Sequence, residues 1–188
     1  MPKTAPEPRK PGRATPPDRI VRVIDAPSLD DHLETMSRAI FQAGMSWAFI
    51  AGRWDAFRAA FDGFAIDRVA AYEEADIARI MAAEGVIHSE KKIAGTVANA
   101  RALLALAHEF GGIASYVASL PTYDELYADV KKRFAFVGDL SCYYWLFRTG
   151  FPVPVFERWM ERQERDHPRM REMVALARSE GRSSERPS

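Results

Sequence analysis

The chain has 188 residues, 47% of them hydrophobic, enough for one well-buried domain and too few for two. Its 26 Lys and Arg balance its 26 Asp and Glu, so it has no global basic field and must meet any polyanion with a local patch. A lone Cys142 excludes an intrachain disulfide and a thiolate-rich zinc site, and the absence of a long apolar run or an apolar leader leads us to expect a cytoplasmic protein with no membrane partner.

Residues 1–19 hold Pro2, Pro6, Pro8, Pro11, Pro16 and Pro17 among basic side chains, a composition that reads as a disordered basic tail. A brief strand-like Ile20 to Ile24 follows, and from there to residue 180 the pattern is helical, predicting a single all-α domain with a frayed end over 181–188. Ser28 with Asp31 opens the first helix as a capping box, Leu29, Leu33, Met36, Ile40 and Ala43 recur at helical spacing, and Gly44 supplies the left-handed end. Ser46 is the next N-cap, and Ile50, Trp54, Phe57 and Phe61 form a stripe that Gly63 closes. A helix over Glu73 to Glu84 ends at Gly85. Another after Ser89 turns Ile93, Val97, Ala100, Leu103, Leu104 and Ala107 inward and stops at Gly111-Gly112. The Thr122–Glu125 box starts a helix through Lys132, a further one runs from Asp139 or Leu140 to Thr149, and Val155 to Asp166 and Pro168 to Arg178 complete the pattern.

Two constellations suggest chemistry. Gln42-Ala43-Gly44-Met45-Ser46-Trp47 sets an apolar side chain and a Trp on a tight turn between helices, an arrangement suited to wedging into and stacking on bases. Lys131-Lys132-Arg133-Phe134-Ala135-Phe136-Val137-Gly138-Asp139 reads as helix, apolar hairpin, helix beside a basic triplet, which can offer backbone N–H groups to a phosphate. Both segments also fit plain packing, Trp47 as core and the second as an ordinary helical hairpin with solvated lysines.

The collinear blocks Gln42 to Trp47, Phe57-Arg58-Ala59-Ala60-Phe61 with Phe64 and Val69, Gly85-Val86-Ile87 with Lys92-Ile93 and Asn99-Ala100-Arg101, and Phe136-Val137-Gly138 with Cys142-Tyr143 resemble the DNA-3-methyladenine glycosylase I family of helix-hairpin-helix DNA glycosylases. The resemblance covers about Asp31 to Gly150. It implies base flipping and hydrolytic release of alkylated purines from double-stranded DNA by a monomeric protein. It also implies that Trp47, Gln42, Phe41 and Tyr143 bind the base and that Met45 intercalates. The implied DNA contacts are Lys131, Lys132, Arg133, Val137 and Gly138, with Lys91 and Lys92 beside them.

The departures are equally specific. Ala39 stands where the family carries a pocket Glu, and Pro152-Val153-Pro154-Val155 holds neither the family's zinc ligands nor the superfamily's Asp, so neither a metal nor a cofactor is expected. The catalytic group stays unassigned. Glu34 is the candidate, although the helix's 100° step sets it off the face of Ala39. An N3- or N7-alkylated purine is cationic and leaves readily, so stacking and a positioned water ask less of an acid. The alternative is a non-catalytic protein of the same fold that binds alkylated DNA.

Overall fold

A computed structural model of the protein describes residues 23–182. The Pro-rich tail, most of the Ile20 to Ile24 segment and residues 183–188 lie outside the described residues. The fold is all-α, as expected. Its helices are α1 (Leu29–Gln42), α2 (Trp47–Ala51), α3 (Trp54–Ala60), α4 (Ile66–Ala70), α5 (Glu74–Met81), α6 (Glu90–Phe110), α7 (Ile113–Ser119), α8 (Tyr123–Arg133), α9 (Asp139–Arg148), α10 (Phe156–Met160) and α11 (Pro168–Ser179), with a 3-10 turn at Asp62–Phe64.

Local chemistry explains the ends. Ser28 N and Oγ donate to Asp31 Oδ2 at 2.8 and 2.7 Å while Asp31 N donates to Ser28 Oγ, and Thr122 with Glu125 repeats the arrangement on α8. Gly44 and Gly111 take positive φ values of 79° and 72°, which ends α1 and α6 at little conformational cost. Three expectations need correction. The stripe from Ile50 to Phe61 divides into α2 and α3 around Gly52, because this poor helix former closes α2 and Arg53 then leaves helical geometry. The helix expected over Val155 to Asp166 shrinks to Phe156–Met160, since the following Glu161 to Asp166 offers no apolar face to bury. Conversely, α4 and α7 form from segments too short for a periodic signal, held by the burial of Ile66, Val69, Ile113, Tyr116 and Val117.

Long α6 packs against α1, α4, α5 and α7, and α1 packs on α9 as well. Leu33, Met36 and Ile40 on α1, Ile93, Val97, Ala100 and Leu103 on α6, and Tyr144, Trp145 and Leu146 on α9 share one buried cluster. On α6, Leu106 is buried where Leu104 and Ala107 are only partly so, a shift of one position along the stripe. No helix among the described residues is long and apolar enough to cross a membrane.

Candidate nucleic-acid interface

The turn between α1 and α2 carries the first part of the site. Ala43 leaves helical geometry, Gly44 reverses the chain, and Met45 emerges 39% exposed while Trp47 starts α2 half-buried. Ser46 occupies the N-cap position, but its hydroxyl makes no capping bond to α2. The Trp47 ring meets Tyr144 of α9 edge-on, centroids 5.5 Å apart and planes at 85°, so its orientation is set by a buried partner. Met45, Ser46, Trp47 and Ala48 form one side of an open cleft of about 260 Å³, and His167, Pro168 and Arg169 form the other.

The second part is the α8–α9 hairpin. Asn99 of α6 clamps it, donating from Nδ2 to Ala135 O at 3.0 Å and accepting from Ala135 N at 2.7 Å. Phe136 takes φ 59° and stands 51% exposed, with its ring laid over Gly95, where a Cβ would approach to 2.7 Å. These two residues of α6 fix the hairpin, and sequence reading missed both roles. The start of α9 has no side-chain cap. Asp139, which could repel a phosphate there, instead accepts from Tyr123 Oη, Trp159 Nε1 and Gln163 Nε2 at 2.5, 3.1 and 2.8 Å. Its charge ties α8, α9 and α10 together, and Gly138 beside it is exposed.

The structure separates the expected site residues into two groups. Trp47 and Met45 line the cleft, and Lys91, Lys131, Lys132 and Gly138 are exposed. Tyr143 does not stack on a base: it is 1% exposed, its hydroxyl donates to Pro154 O at 3.0 Å, and its ring lies 4.3 Å from that of Trp159. Phe41 is likewise core, edge-on to Phe57 at 4.7 Å. Val137 is buried, so only its backbone can reach a phosphate. Lys92 is no free DNA contact, because Nζ donates to Ile40 O and Ala43 O at 2.8 and 3.2 Å and closes the carbonyl end of α1; burial lowers its pKa. Arg133 pairs with Asp129 at 2.6 Å and Glu109 at 3.0 Å, which offsets its charge. Gln42 is buried at the end of α1, and its Oε1 has no hydrogen-bond partner among the described residues.

Glu34 is corrected as well. It accepts from Trp54 Nε1 at 2.7 Å and is paired with Arg58, facing a separate cavity of about 210 Å³ that Arg38 and Arg148 also line. Tyr144 accepts at 2.9 Å from Arg148, which lines that cavity, and its ring meets Trp47. Glu34 is therefore not part of the cleft lining and serves to hold α1 against α3. The zinc that the family resemblance implies does not fit these residues either. Cys142 is fully buried, burial and Asp139 push its thiol above the ordinary range, and among the described residues no three potential ligands converge.

A family model described as methyladenine glycosylase matches residues 26–133, more than half of the chain. The chain belongs to the methyladenine glycosylase family. A curated relative in Escherichia coli (strain K12), DNA-3-methyladenine glycosylase 1, is 30% identical over 146 residues, covering 62% of this chain and 78% of the relative. A crystal structure of 3-methyladenine DNA glycosylase I superposes with a TM-score of 0.58 at 29% identity over 68% of this chain and 81% of the other. The structure of 3-methyladenine DNA glycosylase I from Staphylococcus aureus gives 0.63 at 22% identity over 74% and 87%, a likeness of fold. The match includes the glycine turn bearing Met45 and Trp47, and the hairpin bearing Phe136 to Gly138 lies just beyond its end.

Proposed function

We propose that the protein is a DNA-repair glycosylase that flips an alkylated purine out of duplex DNA, stacks it on Trp47 and hydrolyses its N-glycosidic bond. The carrying observation is the pairing of an exposed Met45 with a half-buried Trp47 on one turn, both facing the same cleft. Met45 fills the gap left in the stack. Trp47, held by Tyr144, supplies the π-face. Lys131, Lys132, Lys91 and the amides at Gly138 hold the phosphates, and Gln42 Oε1 offers an acceptor to the base. Because the leaving base is cationic, stacking and exclusion of bulk water carry more of the reaction than proton transfer. The reading takes the protein to act as a monomer in the cytoplasm, with no metal or cofactor.

A fluorescent base analogue placed beside the lesion reports flipping. Met45→Ala should abolish most of the fluorescence rise in a paired duplex and spare it opposite a mismatch, where unstacking costs less. Equal responses from wild type and Met45→Ala in the paired duplex would remove Met45 from the site. Flipping without base release would favour lesion binding over catalysis.

A further inference from the structure

Helix α11 begins well beyond residue 133, where the family match ends, yet its first turn forms the wall of the cleft opposite Trp47. This wall is not a loose appendage. Met170, Met173, Val174 and Ala177 are buried, and Arg178 holds Glu157 of α10 through two bonds of 2.8 and 2.9 Å. The His167 ring lies 6.1 Å from that of Trp159, itself fully buried and bonded to Asp139 at the start of α9. The hairpin, α10 and the cleft wall are thus connected through three side chains.

The polar groups facing the cleft are few. Arg169 donates to Glu172 at 2.7 Å, which commits part of its guanidinium. Ser46 Oγ is not used to cap α2, and neither ring nitrogen of His167 is bonded within the described fold. Resting on the glycosylase reading above, we propose that His167 is a specificity-determining residue that hydrogen-bonds the edge of the flipped purine while Trp47 stacks on its face. Burial lowers the imidazole pKa, outweighing Asp166, which favours the neutral ring with its one donor and one acceptor. A neutral ring admits the positive charge of an alkylated purine. A permanent cation at the same place would repel it.

Single-turnover base release from methylated duplex DNA tests this. His167→Ala should slow release about tenfold, the scale of one hydrogen bond, with affinity for undamaged duplex within about twofold of wild type. His167→Gln should recover most of that loss, and His167→Lys should be slower than His167→Ala even as its affinity for undamaged duplex rises. A purely structural wall residue would not produce this order. Because His167 starts α11, saturable shifts of its ring resonances on adding free 3-methyladenine to the wild-type protein provide a readout independent of any variant's folding. Release rates of His167→Ala and His167→Lys equal to wild type, or ring resonances unmoved while those of Trp47 shift, would overturn this inference and leave the glycosylase reading intact. Neither release nor any shift at Trp47 or His167 would defeat both.

Discussion

Trp54 Nε1 and Arg58 engage both oxygens of Glu34, so its carboxylate acts as a strut between α1 and α3. Glu34→Ala should lower stability by about 1–3 kcal/mol in denaturant titration, because the buried Trp54 N–H loses its acceptor. The rate of base release by the folded variant should stay within about threefold of wild type. A loss of several hundredfold in that rate without a loss of stability would restore Glu34 as the acid. Lys92 teaches the same lesson. A sequence shows a charge near a hairpin but not that its ammonium is bonded to the last carbonyls of α1. The placement of Met45 and Trp47 on a turn was legible because Gly44, at positive φ, ends α1 just before them. Tyr143 was misread because no local pattern distinguishes an aromatic facing a cleft from one facing Trp159. His167 gave no sequence signal, since its position depends on how α11 folds back.

At the scale of elements, the capping boxes and glycine ends made α1, α6, α8 and α9 readable, while α4 and α7 depend on tertiary burial that no short window reveals. The hairpin was identified, although what positions it lies in α6 through Asn99 and Gly95. In the proposed DNA complex the exposed Lys131 and Lys132 carry the phosphate contacts, whereas Arg133 and Lys92 are already committed within the fold. Lys131→Ala and Lys132→Ala should each reduce the slope of log affinity against log salt by about one unit and weaken all duplex sequences alike. Lys92→Ala should instead lower the melting temperature with little change in slope. A salt slope unaltered in the double Lys131 and Lys132 variant would place the DNA elsewhere.

For the whole molecule, packing α1 on α9 buries His32, which accepts from Trp145 Nε1 at 3.0 Å and stacks on Phe151. Burial lowers its pKa from 6.5 to about 4. The folded state therefore holds His32 neutral while the unfolded chain protonates at about 6.5, so stability is fully present above that pH and declines as pH falls towards 4. The decline amounts to at most about 3 kcal/mol, and titration of stability against pH should show it shrinking in His32→Gln. The same helix pair presents Tyr144 to Trp47, so the integrity of the core and the geometry of the cleft are linked.

Whether Trp47 receives the flipped base is decided by single-turnover release of 3-methyladenine from methylated duplex, compared between wild type and Trp47→Ala. Base stacking on an aromatic ring contributes about 1–3 kcal/mol, so Trp47→Ala should slow release about tenfold or more, with binding to undamaged duplex nearly unchanged and Trp47→Phe intermediate. Wild-type release rates in a folded Trp47→Ala protein would show that the base does not stack on Trp47.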